Sequence, residues 1–465
     1  MQRTAIINIV GLTESLLGAD TPRIAAFRQR GVSANIIPAF PALTCTAQST
    51  YLTGTTASVH GIVGNGWYHR ELADVQFWKQ SNHLVQGRKL WQELRQREEK
   101  FTCAKLFWWY NMYSGVDYSI TPRPIYPADG RKVFDIYTWP YSIREEIKQD
   151  LGEFPFPTFW GPAAGVQTPQ GCPEAASRWI AESARWIEKK YQPTLSLIYL
   201  PHLDYNLQRL GPIDPAIRLD LRAIDGIVGD LIDFFASRHV QVILLSEYGI
   251  TPVHLPVHLN KLFREHGLLA VKDELGLELL DCGASKVFAV ADHQIAHVYL
   301  NDPRLESRIR ELLEKQEGIA QVLGKSEKKE FGIDHGRAGD LIAVAAENAW
   351  FTYYYWLDDS VAPDFARTVD IHRKPGYDPV ELFLDPGIRF PKLKIAWRLL
   401  QKKLGQRMLM DLIPLDATLV KGSHGRRPTN LGDYPVLISS EPSLMGKPLL
   451  EATDVYPLLK RHVLA

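Results

Sequence analysis

The chain is expected to be an α/β protein with a mainly parallel sheet covered by helices on both faces. Three observations lead there. Apolar, β-rich runs recur at residues 5–10, 194–200, 240–245 and 341–346. Segments 174–190 and 215–238 carry apolar residues at three- and four-residue spacing, the period of an amphipathic helix. Strands and helices alternate along the chain, and strands joined by helical crossovers run parallel and are buried on both faces.

Taken in order, residues 5–10 form a buried first strand. The run is too short to span a membrane and has no cleavage signature, so neither a secretory nor a transmembrane segment is expected here. Next comes Pro41-Ala42-Leu43-Thr44-Cys45-Thr46-Ala47-Gln48-Ser49-Thr50-Tyr51-Leu52-Thr53-Gly54, which places a hydroxyl at the start of a helix. A helix N-terminus presents unpaired N–H groups and partial positive charge, which suits an anion beside a nucleophile. Thr44 is therefore a candidate nucleophile toward phosphorus. On spacing alone, an ordinary N-cap threonine looks the same. A loop, His60-Gly61-Ile62-Val63-Gly64-Asn65, follows.

Two stretches break the alternation. Residues 101–170 are rich in aromatics and proline, including Leu106-Phe107-Trp108-Trp109-Tyr110-Asn111-Met112-Tyr113. Residues 261–419 form a longer excursion containing Trp350-Phe351-Thr352-Tyr353-Tyr354-Tyr355-Trp356. Aromatics at this density point first to core or cap packing, because each buries a large apolar area. The organisation is then a core of residues 1–260 and 420–465, with the aromatic excursion at 101–170 and an inserted cap or extension at 261–419. Asp214-Pro215 marks the start of the helix at 215–238.

The 465 residues are 45% apolar and 23% charged, an ordinary globular composition. Lys plus Arg and Asp plus Glu number 53 each, so net charge points to neither nucleic acid nor a membrane. The cysteines at 45, 103, 172 and 282 form no CxxC pair, so a reducing compartment, the cytoplasm, is expected.

The motifs, in order, resemble the alkaline phosphatase superfamily, specifically its type I phosphodiesterase/nucleotide pyrophosphatase branch. They are Ile9-Val10-Gly11-Leu12, the segment from Thr44 to Gly54, the loop from His60 to Asn65, the segment from Asp204 to Pro212, Ser246-Glu247-Tyr248-Gly249 and Ser423-His424-Gly425. The resemblance implies a threonine that attacks phosphorus beside two zinc ions, with Thr44 as the nucleophile and Asp204 and His424 as ligands of one metal. Elsewhere the ligand positions are changed. The first-strand aspartate falls on Val10, a histidine on Gln208, an Asp-His pair on Glu247-Tyr248, and the asparagine near the nucleophile on Ala47, beside Gln48.

Asp204, Gln208, Glu247 and His424 are the expected metal ligands, with Asn8, His258 and His372 as further candidates. Gln48, Asn65, Asn111 and Arg373 are the substrate-binding candidates. A divalent metal is implied, zinc by resemblance, with Mg²⁺ or Mn²⁺ favoured by oxygen-rich ligation. The segment Ile371-His372-Arg373-Lys374-Pro375-Gly376-Tyr377-Asp378 would suit a metal or a phosphate, or ordinary salt-bridged loop chemistry. The implied function is metal-dependent hydrolysis of a phosphodiester, pyrophosphate or phosphonate bond of a small molecule. The alternatives are a member that binds a phosphorylated ligand without turnover and a partner in a biosynthetic pathway.

Overall fold

A computed structural model describes residues 1–465 apart from 130, 169, 170, 407 and 445. Its centre is a nine-stranded sheet. In spatial order the strands are Leu449–Glu451, Val32–Ile37, Val436–Ser439, Gln241–Leu245, Thr4–Ile9, Leu195–Leu200, Cys103–Leu106, Tyr118–Pro122 and Ile136–Trp139. The run from Gln241–Leu245 to Tyr118–Pro122 is wholly parallel, and antiparallel pairings appear only toward the edges. Thr4–Ile9 lies in the middle, buried at every position, as a mainly apolar strand covered on both faces requires.

Helices Ala175–Tyr191 and Ile217–Ser237 match the expected amphipathic segments. The second begins two residues after Pro215, because the Asp214 carboxylate accepts from the Ala216 amide and closes a turn first.

One sequence expectation needs correction. Of the core and cap alternatives for the aromatic stretch, its strands Cys103–Leu106, Tyr118–Pro122 and Ile136–Trp139 take the first and build one edge of the central sheet. Leu341–Ala345 is a strand, but it belongs to a separate four-stranded antiparallel sheet with Val287–Asp292, Ile295–Leu300 and Ile319–Leu323. A continuous apolar run reports burial on both faces and does not say against which sheet. This second sheet organises its own hydrophobic core, in which all of Trp350 to Trp356 are buried. The dense aromatic run is therefore packing.

Candidate active site

Parallel α/β sheets collect function beyond the carboxyl ends of their strands, and that edge carries the candidate residues. Asn8 is the penultimate residue of Thr4–Ile9, Asp204 lies in the helix His202–Leu210 after Leu195–Leu200, and Glu247 follows Gln241–Leu245. The helix Thr44–Thr53 starts seven residues beyond Val32–Ile37 and is buried along its whole length. Its hydroxyls would be costly there unless paired. Thr50 and Thr53 donate to the carbonyls of Thr46 and Ser49, four residues back. The helix ends at Gly54, whose φ of +69° is the left-handed cap conformation. At the other end Leu43 cannot cap, and Asn65 Oδ1 accepts from the Cys45 amide at 3.1 Å instead.

Around Thr44 the side chains form one connected network. Thr44 Oγ1 lies 3.0 Å from the Tyr248 hydroxyl, which donates to Asp204 Oδ1 at 3.3 Å. Gln208 Nε2 donates to Asp204 Oδ2 at 2.8 Å, and its oxygen accepts from the Tyr377 hydroxyl at 3.0 Å. Gln48 donates to Glu247 at 2.7 Å and accepts from the Trp109 amide, and Asn8 donates to the same Glu247 oxygen. Glu247 Oε2 and His424 Nε2 are buried with no hydrogen-bond partner among the described residues.

His424 reaches this network because Gly422–Ser423 pairs antiparallel with Thr251–Pro252, just after Glu247-Tyr248. Its ring stacks on Tyr248 at 3.6 Å, and its Nδ1–H donates to the Ala42 carbonyl at 2.8 Å. His293, stacked at 3.6 Å on Tyr377, lies 3.8 Å from the His424 ring. Asp292 accepts from both nitrogens of Asn65 and lies 2.8 Å from His293 Nδ1.

The structure thus gathers Thr44, Asp204, Gln208, Glu247, His424, Asn8 and Gln48, and brings Asn65 to the edge of the group. Four expected residues are engaged elsewhere. His258 pairs with Thr352 and stacks on Tyr354 in the second core. His372 Nδ1 donates to the Phe77 carbonyl, Arg373 pairs with Asp364 at an exposed position, and Asn111 staples the Lys105 and Ile120 carbonyls. Each makes these bonds outside the Thr44 network, and Asn111 Oδ1 is left buried without a hydrogen-bond partner among the described residues. Sequence reasoning missed Tyr248 as a proton-linked group, along with Asp292, His293 and Tyr377. The adjacent Asp292-His293 pair in the turn between two apolar strands was the available signal for two of them.

Electrostatically the cluster is close to neutral. Burial raises the Glu247 carboxyl to about 8, against the pull of Gln48, Asn8 and Thr44. Burial likewise raises Asp204 and Asp292 to about 7 each. His424 and His293 are held well below the usual histidine range by burial, so both rings are neutral.

The donor set therefore does not fit the two-zinc centre that the resemblance implies. Val10 offers no ligand, the Gln208 and Gln48 amides donate into the carboxylates, and the Tyr248 ring covers His424. Among the described residues no group of three or more His, Cys, Asp or Glu side chains could hold a metal ion. Asp204 and His424, 3.9 Å apart, are fewer than the three protein ligands of a catalytic zinc.

A buried acid whose pKa is higher folded than unfolded keeps a proton that the unfolded chain has released. Stability should therefore fall as pH rises from about 4.5 toward about 8 on account of Glu247. The slope is at most about 1.4 kcal/mol per pH unit for one group. Urea midpoints across this window should show a shallower decline in Glu247→Gln than in the parent; equal slopes would remove Glu247 as the cause.

Comparison with known proteins agrees with this architecture. The profile of the family described as type I phosphodiesterase/nucleotide pyrophosphatase matches residues 4–378. An uncharacterized pyrophosphatase/phosphodiesterase of Schizosaccharomyces pombe is 24% identical over 244 residues, covering 50% of this chain. The match spans only 41% of that relative's own length. Phosphonoacetate hydrolase of Sinorhizobium meliloti, solved with phosphonoformate, superimposes with a TM-score of 0.62 at 15% identity, covering 100% of this chain and 96% of that one. Murine ectonucleotide pyrophosphatase/phosphodiesterase 5, an inactive form with AMP, gives 0.58 at 14% identity, covering 100% and 95%. At such identities the two structures establish the shared fold. The family is generally dependent on divalent metals, which makes the rebuilt donor set here a departure from it. From the profile match over most of its length, the chain belongs to the type I phosphodiesterase/nucleotide pyrophosphatase family, a hydrolase branch of the alkaline phosphatase superfamily.

Proposed function

We propose that this chain hydrolyses a phosphodiester, pyrophosphate or phosphonate bond of a small molecule, with Thr44 as the nucleophile and protein side chains moving the protons. The observation that carries this reading is the hydrogen-bonded chain from Thr44 through Tyr248 to Asp204. As Oγ1 of Thr44 bonds to phosphorus, its proton passes to the Tyr248 oxygen and the Tyr248 proton to the Asp204 carboxylate. The leaving atom takes a proton from Glu247, which is neutral below about 8. Water then bonds to the phosphorus and gives its proton to the Glu247 carboxylate, while the Thr44 oxygen leaves and takes its proton back from Asp204 through Tyr248. Proton donors and acceptors titrating near neutral pH suit this exchange. The four cysteines are free, which supports the cytoplasm as the compartment; fractionation with an oxidising compartment would overturn that placement.

The test is a panel of phosphodiester, pyrophosphate and phosphonate substrates with chelator present. Turnover should survive chelation, and Tyr248→Phe should lower kcat by about 10²–10⁴-fold with little change in KM. Activity that depends on added zinc and is untouched by Tyr248→Phe would overturn the relay.

One observation favours a second reading, binding without turnover. Thr44, Glu247, Tyr248 and His424 are all buried. No Lys or Arg hydrogen-bonds to these residues or to Asp204 among the described residues. In that case phosphorylated ligands would raise Tm with no product formed on any member of the panel.

A further inference from the structure

The helix Pro391–Lys403 has no buried residue. Phe390, Leu393, Trp397, Leu400 and Leu404 recur at three- and four-residue spacing, so they form one continuous stripe, each 44–68% exposed. The helix is held to the protein by its other side, where Lys394 and Arg398 pair with Asp411 at 2.8 and 2.9 Å. That tether turns the apolar stripe to solvent. Large exposed stripes of this kind mark interaction surfaces.

Charge identifies the partner. The helix carries Lys392, Lys394, Arg398, Lys402 and Lys403 and no acidic residue, in a chain whose net charge is zero. Among the described residues no ion pair engages Lys392, Lys402 or Lys403. Lys402 also reaches the Lys132 carbonyl, which places a second exposed patch beside the helix. There Ile125, Tyr126, Val133 and Phe134 are exposed, and the Lys132 ammonium sits over the Tyr126 and Phe134 rings. The two patches together give a surface with apolar and aromatic groups to insert and unpaired cations beside them.

We propose that Pro391–Lys403, with residues 125–126 and 132–134, docks this protein on an anionic phospholipid surface. The apolar stripe enters the headgroup boundary and the flanking cations meet lipid phosphates and carboxylates. A second copy of the chain is disfavoured as occupant, since helix against helix would set the unpaired Lys392, Lys402 and Lys403 against their counterparts with no acidic residue on either helix. A nucleic acid would leave the apolar stripe uncovered. The inference is independent of the chemistry at Thr44.

Flotation of the full-length protein with vesicles tests it. The protein should rise with phosphatidylcholine vesicles containing phosphatidylserine, should stay behind with phosphatidylcholine alone, and should be released by high salt. Lys402→Glu/Lys403→Glu should weaken binding about tenfold or more. Trp397→Ala/Leu400→Ala should weaken it as well, and both pairs should leave Tm unchanged because the side chains are exposed. Failure to float with either vesicle, binding undiminished in both variants, or a dimer in solution that Leu393→Glu dissolves would each overturn the proposal.

Discussion

Thr44→Ala is expected to lower kcat by at least about 10³-fold on whichever phosphoester of the panel the parent turns over, because it deletes the atom that bonds to phosphorus. The fold should survive. Thr44 Oγ1 has Tyr248 as its hydrogen-bonding neighbour, and Tyr248 keeps its bond to Asp204 when the hydroxyl is gone. One lost hydrogen bond costs roughly 0.5–1.5 kcal/mol. Helix Thr44–Thr53 also keeps its cap, because Asn65 Oδ1 accepts from a main-chain amide that the substitution leaves in place. Thr44→Ser restores the hydroxyl and should recover much of the rate, which separates lost chemistry from lost packing. Steady-state kinetics beside a urea titration reads both. An alanine variant with unchanged kcat would remove Thr44 from the reaction and leave the binding reading in its place.

What could be read from the sequence follows from how local each signal is. Asn8, Thr44, Asp204, Glu247 and His424 were legible because each sits next to an apolar run or a short motif, and motif order places them at one sheet edge. The consequence of Gln208 and Tyr248 was not. A tyrosine in a ligand position says that a ligand is missing; only the structure shows its ring stacked on His424 and its hydroxyl bridging Thr44 to Asp204. Asn65 and Asp292, 227 residues apart, meet because the end of the strand Val287–Asp292 in the second sheet reaches the loop that holds Asn65, and no periodicity encodes that contact. The same limit explains Leu341–Ala345, whose burial was readable and whose partner strands were not. The stripe from Phe390 to Leu404 has clear helical spacing, but its exposure is a tertiary fact. The spacing of an amphipathic helix is the same whether its apolar side faces a core or faces water.

Lys374 shows how a functional-looking motif can turn out to be architecture, and it yields the largest expected loss of stability. In sequence, His372-Arg373-Lys374 with Asp378 suits a metal or a phosphate. In the structure Lys374 Nζ lies 2.7 Å from Asp378 Oδ2 and 2.8 Å from Glu381 Oε1, all three side chains buried. The two carboxylates hold the Lys374 ammonium above its usual range against the opposing effect of burial. Glu381 is further fixed by the Trp160 indole N–H and the Asp370 amide, and Asp378 accepts from the Val380 amide. Lys374→Met keeps the volume and removes the only cation paired with these two acids among the described residues. Breaking a buried pair from one side costs about 3–5 kcal/mol, because the orphaned charge stays buried. The loss should shrink as pH falls and the carboxyls take up protons, and Lys374→Met/Glu381→Gln should be more stable than Lys374→Met alone. Urea titrations of the parent and both variants at two pH values measure this. A loss below about 1 kcal/mol, the range of an exposed pair, would mean that water reaches the triad and that the segment is open to a ligand after all.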